Sequence, residues 1–142
     1  MRLKRLLGAT LIVFAIFSCD NKSSVFNWPN ESNLILNDTL EIAYQDTFFN
    51  ADEKIWITFD SLLSDSRCPL NVVCVWEGNA EVSFVLYSEG EEAEFTLNTY
   101  SGFTNDTTIF AYDISLIDVF PYPHIDSVYT MDDYSVQIII TQ

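Results

Sequence analysis

From Leu34 onward, apolar and polar residues alternate in short runs, and that period of two confines the chain to half-buried β-strands. Lys54 to Asp60 places Ile55, Ile57 and Phe59 on one face. Ala80 to Leu86 sets Ala80, Val82, Phe84 and Leu86 against Glu81 and Ser83, and Glu92 to Leu97 alternates as cleanly. Ser88-Glu89-Gly90-Glu91 between these two runs reads as a hairpin turn. Further strands are expected at Leu34–Leu36, Leu40–Ile42, Thr108–Ala111, Ile114–Val119 and Tyr134–Ile140. No helical stretch interrupts them. Alternation with one polar face belongs to antiparallel sheets, because parallel sheets covered on both faces show continuous apolar runs. Seven or eight short strands pack most economically as two sheets face to face, so residues 34–142 are expected to form an all-β antiparallel sandwich, Ig-like in broad architecture. A closed barrel is the alternative.

The segment before this domain has a different logic. Arg2, Lys4 and Arg5 precede an apolar run from Leu6 to Phe17, which ends in Ser18-Cys19. A cationic start, an apolar run of about a dozen residues and a small residue at its end make the pattern of a secretory signal peptide. The run is too short to span a bilayer, which takes roughly 20 apolar residues. Ile16, Ser18 and Cys19 resemble the lipobox of bacterial lipoproteins, in which the cysteine sulfur receives a diacylglycerol before cleavage. That resemblance implies removal of residues 1–18 and lipid attachment at Cys19. Residues 19–33, polar apart from Val25, Phe26 and Trp28, then read as a tether. The Phe17-Ser18-Cys19 ending and the wealth of Asn, Asp, Ile, Phe and Tyr are similar to lipoproteins of Bacteroidota. Asp38-Thr39-Leu40, Asp60-Ser61-Leu62, Asp106-Thr107-Thr108 and Asp126-Ser127-Val128 also look like the sites that this group O-glycosylates.

Charge narrows the choice of partner. Every one of the 21 acids lies beyond residue 18, whereas three of the six cations precede it. The processed chain would hold 21 acids against Lys22, Lys54 and Arg67, a net −18. Nucleic acid and anionic headgroups are repelled by such a surface. The expected partners are the membrane, through the N-terminal lipid, and an unidentified protein or glycan. The expected location is the bacterial cell envelope, at the outer membrane rather than the inner.

Cys68 and Cys74 remain as a pair. In an exported chain, two cysteines six apart with Pro69 and Asn71 between them read as a disulfide. Zinc fails on ligand count, since two cysteines and the single His124 fall short of the usual four. The pair sits in Asp65-Ser66-Arg67-Cys68-Pro69, followed by Val72-x-Cys74-x-Trp76-x-Gly78 and a strand. This run resembles a motif of small bacterial exported and lipid-anchored β proteins. The resemblance extends to Leu116–Val119, Pro121-Tyr122-Pro123 and the final strand, and implies no particular activity. Physically, Gly78 is suited to a positive φ. Arg67 can pair with Asp65 or Glu77 as an internal brace. Alternatively, Arg67 and Trp76, types favoured at binding hot spots, form a recognition surface.

No catalytic constellation emerges. His124 has no nucleophile signature around it, and four glycines leave no phosphate-cradling loop. Asp52-Glu53 and Asp132-Asp133 are candidate calcium ligands in turns, without an EF-hand pattern. No cofactor is expected. The expectation is a non-enzymatic binding or structural domain. Its alternatives are an inhibitor or scavenger of exported enzymes using the 65–78 loop, and a small hydrolase.

Overall fold

A computed structural model describes residues 33–142 and comprises eight strands. They are β1 (Thr39–Ala43), β2 (Thr47–Asn50), β3 (Ile55–Asp65), β4 (Ala80–Ser88), β5 (Glu91–Asn98), β6 (Asp106–Ile109), β7 (Tyr112–Phe120) and β8 (Ser135–Thr141). Two antiparallel four-stranded sheets result, in the orders β1-β8-β7-β6 and β2-β3-β4-β5. The fold is a β-sandwich. Within each sheet the strands consecutive in the chain are neighbours, the chain crosses between sheets at β1–β2 and β5–β6, and β1 returns beside β8, so the chain runs up and down instead of through the Greek key of immunoglobulin domains. The layering is shared with those domains; the connections are not. An up-and-down barrel would need β1–β2 and β5–β6 to pair as well, and these strands lie in different sheets.

The core is built from the inward residues of the alternating runs. Ile55, Ile57 and Phe59 of β3 and Val82, Phe84 and Leu86 of β4 are fully buried, facing Ile114 and Val119 of β7 and Val136, Ile138 and Ile140 of β8. Burying each side chain of this size contributes about 1.5–3 kcal/mol. Three register shifts adjust the pattern. The register of β3 on β4 slips after Phe59 and again after Leu62, and that of β7 on β8 slips after Leu116. The slip in β7 changes which residue points inward: Leu116 and Val119 are buried while Ile117 between them is exposed.

Three expectations need correction. Leu34–Leu36 is not a strand, although Leu34 still reaches the core from its loop. The expected strand Thr108–Ala111 stops at Ile109, because Phe110 and Ala111, both at positive φ, form the two-residue turn into β7. Thr47–Asn50, not expected, forms β2.

The antiparallel registers put unlike connections at the two ends. One end has tight turns, with Glu89-Gly90 and Phe110-Ala111 each turning the chain in two positive-φ residues. The other end gathers three longer loops, 66–79, 99–105 and 121–134. The expected signal peptide, Cys19 and nearly all of the tether lie outside the described residues.

Candidate functional site

The loop end is organised around Arg67, which follows directly from β3. Its side chain is buried, 5 % exposed for the whole residue, and is met from both sheets. Nε donates to Asp65 Oδ1 at 2.9 Å and Nη2 to Asp65 Oδ2 at 2.7 Å, a bidentate pairing at the tip of β3. Nη1 donates to the carbonyl of Val119, and Nη2 to that of Pro121 at 2.9 Å, both at the end of β7. Asp118 stands 3.9 Å from Nη1, and the guanidinium carbon lies 4.8 Å from the centre of the Tyr122 ring. A rigid five-donor fork suits this arrangement as the single charge of lysine would not. Arg67 therefore clasps one sheet to the other. Of its two expected carboxylate partners the structure uses Asp65; Glu77 is exposed and meets the loop through its backbone, its carbonyl accepting from Cys68 N at 2.8 Å. The arginine is spent on bracing.

The neck of the 66–79 loop prolongs the β3–β4 pairing. Ser66 N donates to the Asn79 carbonyl at 2.7 Å. Gly78 sits at φ +80°, and a Cβ there would lie 2.0 Å from the Ser66 carbonyl oxygen and 2.6 Å from Arg67 Cα. Only glycine fits. Beyond the neck, Cys68 and Cys74 form a disulfide with their Cα atoms 5.9 Å apart. A ring this small contributes roughly 2 kcal/mol by restricting the unfolded chain.

The stapled loop is tied to both neighbours. Asn79 Nδ2 donates to Asn98 Oδ1 at 2.8 Å, and Asn79 Oδ1 accepts from Tyr100 N at 3.0 Å, which holds the 99–105 loop. Leu70 N donates to the Pro123 carbonyl at 3.0 Å, and Ile125 N to Asn71 Oδ1 at 3.3 Å, which holds the 121–134 loop. Trp76 meets Tyr100 edge-on, with centroids 5.7 Å apart, and Tyr100 meets Phe103 in the same way at 5.3 Å. Trp76 nevertheless remains 52 % exposed.

On this braced frame stands an apolar surface. Among the described residues, eight of the eleven exposed large hydrophobic side chains lie on the three loops, with Val73 and Val75 bare to solvent and Leu70, Phe103, Ile125 and Val128 more than half exposed. Isolated exposed apolar residues are ordinary, but a group of them on one end marks an interaction surface. Sequence reasoning named Trp76 and missed the rest. The Leu70-Asn71-Val72-Val73-Cys74-Val75 run carried the only signal: apolar residues within and just after a disulfide ring too small to have an interior.

The turn end is acidic. Asp52, Glu53, Glu89 and Glu91 line an open concavity of about 580 Å³ together with Lys54, Tyr112 and Gln142. Tyr112 Oη donates to Glu53 Oε2 at 3.3 Å. Burial pushes the phenol above its ordinary range, and the charges of Glu53 and Glu89 push it the same way. Of the calcium candidates, the Glu53 and Asp133 carboxylates already accept hydrogen bonds within the chain. The amides of Asp52 and Glu53 donate to Asn50 Oδ1 at 3.0 Å, and Asp133 Oδ2 accepts from Thr130 N and Oγ1 at 2.7 and 2.8 Å. Asp52-Glu53 stands at the turn end and Asp132-Asp133 at the loop end. No group of three potential metal-ligating side chains gathers among the described residues. His124 lies in the 121–134 loop, 3.9 Å from Asp126. Comparison with family models, with curated proteins and with solved structures found no match.

Proposed function

We propose that this chain is a cell-envelope lipoprotein, anchored through Cys19, whose β-sandwich is a non-enzymatic binding domain acting through the three loops at one end. The observation that carries this reading is the exposed apolar group around Trp76, Val73 and Val75, set on loops fixed by a disulfide, a buried arginine and an obligatory glycine. A group of bare apolar side chains on one end of a domain fits an interaction surface. Rigid loops that display them lose little entropy on association, which favours binding. Cofactor and nucleic acid have no part in it.

A second reading has one observation in its favour. Val73 and Val75 stand clear of the sandwich on a stapled loop, the form of a wedge, and a wedge suits an inhibitor of exported enzymes. In both readings the same loop is the working surface.

The anchor and the surface are tested separately. Replacing Cys19 by Ala should move the protein from the membrane fraction to the soluble one, and intact mass should show fatty acid on the wild type only. Equal membrane retention of the variant, with no acyl mass on the wild type, would refute the anchor. Replacing Trp76 by Ala should lower capture of envelope components at least tenfold without altering the fold.

A further inference from the structure

Resting on the binding reading above, we infer that the loop end docks onto an exported protein bearing an apolar pocket rimmed by lysine or arginine, and not onto the bilayer or a second copy. Sign of charge decides this. Among the described residues the Lys and Arg side chains are Lys54 and Arg67. Lys54 sits in the β2–β3 turn at the opposite end, and Arg67 is buried and engaged with Asp65. The loop end therefore offers no exposed Lys or Arg, whereas Glu77 and Asp126 are exposed beside the apolar group and Asp118 is partly so. An apolar centre with an acidic rim selects its inverse: an apolar pocket with a basic rim.

The same charges disfavour the competing occupants. A second copy joined through this face would bring two acidic rims together, since a two-fold interface pairs a patch with itself. Anionic headgroups would be repelled by the rim, and among the described residues no exposed Lys or Arg lies there to offset this. Geometry agrees. The described chain enters at the turn end, where Asn33 N and Leu34 N both donate to the Phe49 carbonyl, at 2.9 and 3.0 Å. Phe49 pairs with Trp56, and the nine steps of β3 from Trp56 to Asp65 carry the loop end about 30 Å beyond that entry point. A lipid at Cys19 would therefore join the domain at the turn end, opposite the loops.

The test uses the full-length protein in its native host, with a photo-crosslinking residue at position 73 or, as a control near the turn end, at position 92. The expected result is a protein adduct from 73 and none from 92. The crosslinked peptide should map to an apolar pocket with Lys or Arg at its edge. Val75→Asp should cut the adduct at least tenfold, and Glu77→Lys several-fold; the Val75 side chain is bare, so an unchanged unfolding midpoint verifies the fold. Raising salt from about 50 to 500 mM should weaken the wild-type complex several-fold. Adducts from 73 to phospholipid or to a second copy would overturn the inference. A protein adduct from 92 alone would overturn this docking face and leave the binding reading intact, whereas no protein adduct from either position would overturn both.

Discussion

The two ends of the sandwich are closed by opposite means. At the turn end, β4–β5 and β6–β7 are joined by two residues each, with Glu89-Gly90 and Phe110-Ala111 at positive φ, and the surface is acidic. At the loop end, fourteen residues separate β3 from β4, and their conformation is held by a disulfide, by Arg67 and by the absence of a side chain at Gly78. Tight turns need little beyond backbone geometry. A long loop keeps one shape only if cross-links offset its entropy, and such cross-links are worth their cost where shape is used. The difference assigns closure to one end and display to the other.

If the loop end depends on these braces, removing them should cost far more than comparable changes at the turn end. The largest effect is expected from Arg67→Ala, which strips the largely buried Asp65 carboxylate of its guanidinium partner and leaves the Val119 and Pro121 carbonyls without their donor. Urea unfolding should show a loss of about 3–5 kcal/mol, against less than about 0.5 kcal/mol for Glu92→Ala on the exposed edge of β5. Gly78→Ala should follow at roughly 3 kcal/mol, because its Cβ would overlap the Ser66 carbonyl. Gly90→Ala is the matched comparison. It shares the positive φ, but the nearest atom to its Cβ is Tyr87 Oη at 3.9 Å, so about 1–2 kcal/mol is expected. Similar losses for the two glycines would dissolve the contrast between the ends.

Replacing both Cys68 and Cys74 by Ser should lower stability by roughly 2 kcal/mol. In hydrogen exchange it should free the amides of 66–79 while leaving those around Glu89-Gly90 unchanged. The smallest effect concerns two tyrosines. Burial raises Tyr112 at the turn end and Tyr134 near the loop end above the ordinary value of 10, and Asp65 raises Tyr134 further while Arg67 opposes it. A raised phenol contributes stability below its unfolded value, and that contribution is lost as pH climbs through the folded one. Ultraviolet titration should therefore find both ionising late, in the same alkaline window in which stability falls. Arg67→Ala should delay Tyr134 and leave Tyr112 where it was.

What the sequence made legible follows from how local each determinant is. The inward residues of β3, β4 and β8 could be read because burial of one face imposes a period of two. The same rule failed where geometry departs from it. β2 is four residues long, all half-buried, and has no alternation to read. Phe110-Ala111 lacks the Gly or Asn that two positive-φ residues usually require, so it looked like more strand. The bulge after Leu116 moves Val119 inward, which no spacing rule anticipates. In the site, the Cys68–Cys74 bond and the Arg67–Asp65 pair lie close in sequence and were nameable. The carbonyls of Val119 and Pro121 come from more than fifty residues away and appear only once the sheets are stacked. Exposure of Val73 and Val75 was hidden for another reason: an apolar residue type argues for burial, and only the loop's position on the finished sandwich reverses that.

The central claim is that the apolar loop end binds while the acidic turn end does not. The most direct measurement compares Val75→Asp with a charge change at an exposed position near the turn end, Glu92→Lys, for retention of envelope proteins at equal loading and equal unfolding midpoint. The account predicts at least a tenfold loss for Val75→Asp and retention within a factor of two for Glu92→Lys. Undiminished retention by Val75→Asp would contradict it.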